Sequence, residues 1–267
     1  MRAAGTLQDR RILVTRARDQ ALELADLLLE RGAIAVTVPV MRLRLLLAPA
    51  ELERWRAQIL AGEWQDLIFT SANSVSLVLP PAPVGEAPRP RVFAIGPGTA
   101  SAVAARGWQP QALPQNFVAE SLAARVLTEG IAGRRVLLPR ARGARAVLPE
   151  LLERAGARLE LLEVYEMEPE WDSSGALREA LRAGEGLDCL VFTSGSSVDC
   201  FEKLRQGAPV PEGALVACIG PVTAESARRA GLGPGLVAAQ HSLPGLLSAL
   251  ESQLGPKPQN EPADELS

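Results

Sequence analysis

The chain has 267 residues, and 47% of them are hydrophobic, so it can bury one large core or two small ones. A formal net charge of −3 provides no basic field for nucleic acid, and one Tyr and five Phe offer few aromatic platforms for bases. No apolar run approaches the ~20 residues of a membrane span, and the charged N-terminal stretch is not a signal peptide, so we expect a cytoplasmic protein with no nucleic-acid or membrane partner.

Strands and helices alternate along the chain. Short apolar runs are typical of buried strands, and leucines at helical spacing indicate helices, the first of which ends at Gly32. Thr99 is predicted to cap a later helix. In chain order, the predicted elements are a strand at 11–15, a helix at 20–31, a strand and connector at 33–47 broken at Pro39, a helix at 49–61, a strand at 66–70, a helix at 73–79, a loop at 80–90, a strand at 91–95, and helices at 100–106 and 118–129.

The pattern then begins again. RRILVTRARDQ from Arg10 is matched by RRVLLPRARGA from Arg134, 124 positions later, and FAIGPGTASAVAARG from Phe93 is matched by ACIGPVTAESARRAG from Ala217 at the same offset. DLIFTSANSV and DCLVFTSGSSV repeat at an offset of 122 to 123. Matched segments in one order indicate a duplicated domain, and each half is predicted to be an α/β unit with a mostly parallel sheet.

Three kinds of polar element follow the predicted strands, in the place where open parallel sheets bind ligands. Guanidinium groups bind carboxylates, and the N–H groups of a helix start attract anions, so all three favour an anionic ligand. The alternatives are solvated arginines and hydroxyls that only cap helices. The candidate binding residues are Arg16, Arg18 and Arg140, with Arg142 and Arg145 nearby, then Thr70, Ser71, Ala72 and Asn73, then Thr193, Ser194, Gly195 and Ser196, and the turn residues Gly96, Thr99, Gly220 and Thr223.

Conventional catalytic and metal-binding sets are missing from the sequence. No phosphate-binding glycine motif occurs, and His241, expected at the surface before the last helix, is the single histidine. Cys189, Cys200 and Cys218 form no ligand cluster and are expected to be buried thiols of a reducing compartment. We therefore expect no metal and no cofactor, and a reaction that depends mainly on holding a polyanion in one shape.

The paired strand–Thr-Ser–helix motifs, the paired Ile-Gly-Pro-x-Thr turns and the Val164-Tyr165 connector resemble the uroporphyrinogen-III synthase family, over roughly residues 11–251. The resemblance implies two flavodoxin-like lobes with exchanged segments. Lobe 1 would comprise residues 1–38 and 168–254, lobe 2 would comprise 42–163, and the stretches 36–43 and 161–168 would form a two-stranded connector. Residues 255–267, rich in proline and polar side chains, are predicted to be a disordered tail.

The resemblance also implies the chemistry. The substrate would be hydroxymethylbilane, a linear tetrapyrrole with eight carboxylates, which the enzyme closes with loss of water and inversion of ring D, through an azafulvene and a spiro intermediate. Tyr165 corresponds to the family's tyrosine thought to assist departure of the hydroxyl; the alternative is a tyrosine that only packs in the hinge. We expect a monomer that could make transient contact with the preceding enzyme of the pathway.

One position departs from the repeat. Pro139 stands where the first copy has Thr15, so the segment at Arg140 need not copy the shape of the segment at Arg16, and Arg140 ranks below the Thr-Ser turns as a substrate contact. Two other functions stay open on the sequence alone. They are a non-catalytic two-lobed binding protein for an anionic metabolite, and a sugar-nucleotide transferase, for which the chain is short.

Overall fold

The computed structural model describes residues 5–84, 89–182 and 186–257. Its strands are β1 (Arg11–Val14), β2 (Ile34–Thr37), β3 (Met41–Leu45), β4 (Asp66–Phe69), β5 (Arg91–Ala94), β6 (Arg135–Ala141), β7 (Arg158–Pro169), β8 (Cys189–Phe192), β9 (Leu215–Cys218) and β10 (Leu236–Val237). Its helices are α1 (Arg18–Leu29), α2 (Pro49–Leu60), α3 (Ala72–Val78), α4 (Pro97–Ala105), α5 (Ala119–Thr128), α6 (Val147–Arg154), α7 (Ser174–Arg182), α8 (Gly195–Arg205), α9 (Pro221–Arg229) and α10 (Leu243–Leu254), and Trp171–Ser173 forms one turn of 3-10 helix.

The chain divides into two units, each with its own five-stranded sheet. Unit 1 combines Met1–Leu43 with Met167–Ser267, and its strand order is β10-β9-β8-β1-β2, all pairs being parallel. Helices α7, α8 and α9 pack on one face of this sheet, and α1 and α10 pack on the other. The central strands are therefore buried on both faces, which explains their continuous apolar sequences.

Unit 2 is the continuous stretch Arg44–Glu166, and its strand order is β3-β7-β6-β4-β5. The pairs β7-β6, β6-β4 and β4-β5 are parallel. Strand β3 runs against β7, because the Leu46 N–H donates to the Val164 carbonyl and the Glu170 N–H donates to the Val40 carbonyl. Helices α5 and α6 cover one face of the sheet. The predicted α/β class with mostly parallel sheets is confirmed.

Each sheet is anchored at its amino end by an aspartate. Asp66 is fully buried and accepts hydrogen bonds from Arg91 Nε (2.5 Å) and Arg134 Nε (2.6 Å). In unit 1, Asp188 accepts from Arg10 Nη1 (2.9 Å) and from the Arg11 N–H (2.8 Å). These contacts join the start of one strand to its neighbours. They lie at the amino end of each sheet, opposite the carboxyl end where open parallel sheets bind ligands.

Several predicted boundaries were wrong in detail. Helix α4 begins at Pro97 with Gly96 as its N-cap, so Thr99 lies inside the helix and caps nothing; proline suits the first helical position because its fixed φ is helical and it needs no N–H partner there. Helix α1 begins at Arg18, two residues before the predicted start, and β6 continues through Arg140.

The ends of the described segments bear on two other predictions. In the predicted tail, the Lys257 N–H donates to the Gln8 carbonyl, and residues 258–267 lie outside the described residues, as do residues 85–88 of the predicted loop. None of the helices in the described ranges is long and apolar enough to cross a membrane.

Candidate functional site

In unit 2, β4 ends at the Thr-Ser turn that the sequence singled out. Ser71 is the N-cap of α3, and its Oγ accepts a hydrogen bond from the Ser74 N–H (3.1 Å). Ala72 and Asn73 form the first turn of α3 and are half-buried, as are Thr70 and Ser71. The cap takes one N–H group, and the remaining N–H groups of the first turn have no partner within the helix, which suits an anion.

Unit 1 repeats this arrangement at the end of β8. Ser194 is the N-cap of α8 and accepts from the Ser197 N–H (3.1 Å), while the Ser197 hydroxyl donates to the Ser194 carbonyl (2.7 Å). A larger residue does not fit at Gly195, because a methyl group there would lie 2.6 Å from Ser226 Oγ. The space that glycine leaves is therefore occupied by Ser226, whereas Ser196 is exposed.

Both Ile-Gly-Pro turns carry a ring above their glycine. A methyl group at Gly96 would lie 3.2 Å from the Phe117 ring, and one at Gly220 would lie 3.1 Å from the His241 ring. Both glycines are buried N-caps without a side-chain hydrogen bond, and His241 is exposed as predicted. Sequence reasoning missed Phe117, although it lies 124 positions before His241 and so occupies the same place in the repeat.

The two threonines of these turns do not face solvent. Thr99 is 6% exposed and Thr223 is 4% exposed, and each is the third residue of its helix, α4 or α9. Any contact of these two positions with a ligand would therefore be made through the helix start, and the side chains themselves contribute to packing.

The two arginines that follow β1 have different surroundings. Arg16 is largely buried; its Nη1 lies 3.5 Å from Glu23 Oε2, and its Nη2 donates to Gln20 (3.3 Å). Burial lowers the pKa of Arg16, and Glu23 opposes that shift. Arg18 is exposed and begins α1.

Arg140 in unit 2 is buried, with 8% of its surface exposed. Its Nη2 donates to the carbonyls of Ala144 and Arg145, and its Nε has no partner among the described residues. Arg140 and Thr70 both line a cavity of about 190 Å³ at the carboxyl end of the unit 2 sheet. The structure thus brings together two predicted site residues that are 70 positions apart in the sequence.

Tyr165 lies on β7 and is 4% exposed. Its hydroxyl is 3.0 Å from Ser71 Oγ, so either oxygen can donate to the other. The backbone N–H of Arg142 donates to the Tyr165 carbonyl (2.8 Å). The tyrosine proposed for chemistry and the serine that caps α3 therefore share one hydrogen bond in unit 2.

The three cysteines are buried free thiols in unit 1. Burial raises the pKa of Cys200 and of Cys218 to about 11 and raises that of Cys189 further, so none is a thiolate near neutral pH. Within the described ranges, no group of three or more His, Cys, Asp or Glu side chains could hold a metal ion.

Comparison with known proteins points to one family. A family model described as "Uroporphyrinogen-III synthase HemD" matches residues 22–248. The uroporphyrinogen-III synthase of Synechococcus elongatus is 31% identical over 257 residues, covering 90% of this chain and 94% of the relative. The uroporphyrinogen-III synthase of Chlorobaculum parvum is 27% identical over 228 residues, covering 83% of this chain and 89% of the relative.

Solved structures show the same fold. A mutant uroporphyrinogen III synthase from Thermus thermophilus aligns with a TM-score of 0.58 at 22% identity, covering 91% of this chain and 98% of that one. Uroporphyrinogen-III synthetase from Helicobacter pylori aligns with a TM-score of 0.58 at 18% identity, covering 92% and 99%.

Proposed function

The chain belongs to the uroporphyrinogen-III synthase family, lyase-type enzymes of tetrapyrrole biosynthesis, and we propose that it closes hydroxymethylbilane, with loss of water and inversion of ring D, to uroporphyrinogen III. The observation that carries this proposal is the family match over residues 22–248. The family and the named relatives do not favour the alternative of a non-catalytic binding protein.

The test is a hydroxymethylbilane assay with the purified chain. The product is oxidised, and its type I and type III isomers are resolved by chromatography. We expect type III to dominate and its formation to scale with protein concentration. Type I alone, at the rate of the protein-free control, would exclude the synthase activity.

The proposed binding mode uses the carboxyl end of each sheet. Backbone N–H groups and hydroxyls at the starts of α3 and α8 would bind substrate carboxylates, which is supported by the repeated Ser71 and Ser194 caps and by the anion preference of helix starts. Gly96, Gly220 and the starts of α4 and α9 would act in the same way, with Arg16, Arg18 and Arg140 as cationic contacts. No cofactor is required for this mode.

Tyr165 is the proposed catalytic residue. A phenol can donate a hydrogen bond to a departing hydroxyl oxygen without being ionised, and the hydrogen bond with Ser71 helps to fix the position of the Tyr165 oxygen in unit 2. The remaining work of the enzyme is conformational, because ring D must be held so that it closes in the reversed orientation.

The same proposal includes an evolutionary history, in which an ancestral α/β unit was duplicated and segments were then exchanged. It is supported by the strand orders, since β9-β8-β1-β2 in unit 1 and β5-β4-β6-β7 in unit 2 join equivalent strands of the 124-residue repeat. The strands β3 and β7 would be the two-stranded connector.

We further propose that the protein works as a cytoplasmic monomer and receives hydroxymethylbilane from the enzyme that precedes it. The buried, unpaired cysteines are compatible with a reducing compartment. Light scattering of the purified chain, alone and with the preceding enzyme, tests the monomer and the transient contact.

A further inference from the structure

The cavity of unit 2 combines apolar walls with cationic groups. It measures about 190 Å³ and lies at the carboxyl ends of β4, β5 and β6. Its lining residues are Thr70, Ile95, Ala119, Leu138, Arg140, Ala144, Arg145, Leu148 and Pro149. Ala144 and Arg145 are exposed, whereas Leu138 and Leu148 are buried, so the cavity runs from solvent into the apolar layer between the sheet and α6.

Arg140 is the polar group that this cavity leaves incompletely satisfied. The side chain is more than nine-tenths buried, and Nε lacks any hydrogen-bond partner in the described ranges. A buried guanidinium needs an anion or a full set of acceptors, and Arg140 has only two backbone carbonyls, both on Nη2. An anionic ligand in the cavity would supply the missing acceptor and charge.

The surrounding helix starts favour the same ligand. Helices α5 and α6 both begin without a side-chain cap, and the cavity is lined by Ala119, the first residue of α5, and by Leu148, the second residue of α6. Arg145, which is exposed and also lines the cavity, adds a second positive charge. Glu120 and Glu150, in the first turns of these helices, are exposed and do not line the cavity.

The equivalent arginine in unit 1 already has a carboxylate partner, although its Nε, like that of Arg140, lacks a hydrogen-bond partner in the described ranges. Arg16, 124 residues before Arg140, has Glu23 and Gln20 on its two terminal nitrogens. Arg140 has neither a carboxylate nor an amide side chain as a partner among the described residues. The two copies of the repeat therefore share the unpartnered Nε and differ in the carboxylate beside the guanidinium, which a ligand anion would supply at Arg140.

We propose that this cavity is a subsite for one carboxyethyl arm of the substrate, with the arm's methylene groups against Leu138 and Leu148 and its carboxylate at Arg140. The assignment rests on the proposed function. Pockets that hold drug-sized ligands measure about 300–1,000 Å³, so a cavity of about 190 Å³ suits one short arm and is too small for a whole tetrapyrrole. To this cavity, a substrate arm and a free short aliphatic monocarboxylate present the same groups. Either one could therefore be the ligand that the cavity binds.

Amide NMR of the full chain tests the subsite directly. Sodium propionate should shift the amide signals of Thr70, Ala119 and Ala144, and neutral propionamide should not. Arg140→Gln should weaken propionate binding by about tenfold or more, because a charged hydrogen bond is lost. Arg154→Gln, which removes an exposed charge on the same unit, is the matched control and should leave binding unchanged.

Steady-state kinetics then separates the two sources of the carboxylate. Arg140→Gln, and Ala119→Leu, which fills the cavity without altering charge, should each raise KM for hydroxymethylbilane about tenfold, and propionate should compete with substrate. Ala119→Leu keeps the test valid if Arg140→Gln fails to fold, which circular dichroism will show. Propionate binding together with an unchanged KM in both variants would overturn the substrate-arm assignment in favour of a free carboxylate.

Absence of any propionate-dependent shift in the wild-type chain would overturn the subsite altogether. The propionate-dependent shifts are independent of the proposed function. A wild-type chain that binds propionate but forms only the type I isomer contradicts the synthase activity, whereas one that forms type III without binding propionate contradicts the subsite alone.

Discussion

The hydrogen bond between Tyr165 and Ser71 allows a structural role of the tyrosine to be tested against the proposed catalytic one. In the proposed mechanism the tyrosine hydroxyl assists the leaving group, and in the structure it contacts the serine that caps α3. Since Tyr165 is buried, loss of its hydroxyl removes the hydrogen bond and leaves the ring packing in place.

We predict that Tyr165→Phe lowers kcat for hydroxymethylbilane by about tenfold to a hundredfold, the cost of losing one hydrogen bond to a developing charge, without abolishing the type III product. Ser71→Ala is the partner variant. If Tyr165 acts only through Ser71, Ser71→Ala alone should cost as much as Tyr165→Phe, and the double variant no more. If Tyr165 acts on substrate, Tyr165→Phe should cost clearly more. Unchanged turnover of Tyr165→Phe would remove the residue from the mechanism.

At the level of elements, the amino end of the unit 2 sheet depends on one carboxylate. Asp66 is fully buried between Arg91 and Arg134, and it joins the starts of β4, β5 and β6. Removing one member of a buried ionic cluster leaves the other members without compensation.

We predict that Asp66→Asn lowers the free energy of unfolding by about 3 kcal/mol, the lower end of the range for broken buried pairs, because both arginines retain some contact with water. Urea unfolding followed by tryptophan fluorescence measures it. The control is Glu63→Gln, which removes an exposed pair with Arg135 and should cost less than about 1 kcal/mol. Equal losses in the two variants would contradict this account.

The corresponding carboxylate of unit 1 makes stability depend on pH. Burial raises the pKa of Asp188, but the Arg11 N–H and the charges of Arg10 and Lys257 outweigh burial and hold the pKa below its ordinary value. A carboxyl whose pKa is lower in the folded state stabilises the fold above its unfolded pKa of about 3.9, and this contribution is lost as the pH falls through the folded value.

We therefore expect the urea midpoint of the wild-type chain to fall more steeply below about pH 4 than that of Asp188→Asn, which has no proton to gain. Glu225→Gln, which removes an exposed carboxylate of α9, should keep the wild-type slope. Parallel pH profiles for the wild type and Asp188→Asn would show that Asp188 does not contribute.

The sequence predicted the elements better than their mutual contacts. Apolar runs located β1, β4 and β5 within one residue at each end. A strand that is buried on both faces consists almost entirely of hydrophobic residues, so its limits are visible in the sequence. The start of α4 was missed because a Gly-Pro pair can form either a turn or a cap and first helical residue.

For the candidate site, both Thr-Ser turns were predictable because a polar pair directly follows an apolar strand. The contact between Tyr165 and Ser71 was not, since 94 residues separate them and no periodicity links them. The cavity at Arg140 is formed by residues of β6, by the residues that directly follow β4, β5 and β6, and by helices α5 and α6, and only folding brings these together.

For the whole molecule, the two units carry different spectroscopic reporters. All three thiols lie in unit 1 and are buried with a raised pKa, so they react only when unit 1 opens. Trp55, Trp64 and Trp108 lie in unit 2, and the fourth tryptophan, Trp171 of unit 1, is already 53% exposed.

We predict that thiol labelling and tryptophan fluorescence give different urea midpoints, since each unit has a sheet and an apolar core of its own. Asp66→Asn should lower the fluorescence midpoint and leave the labelling midpoint unchanged. Coincident transitions that shift together in this variant would show that the two units unfold as one.

The chain order of unit 1 has a consequence for synthesis on the ribosome. Unit 2 is one uninterrupted stretch of the chain. In unit 1, by contrast, β1 pairs with β8, and the partner of Arg10, Asp188, is translated 178 residues later. At about 5–20 residues per second, the first strand and helix of the nascent chain spend about 10 s or more without their sheet. Unit 2 ends at Glu166, before β8, β9 and β10 of unit 1 have been translated, so the part of the molecule that is translated in the middle is the first that can fold.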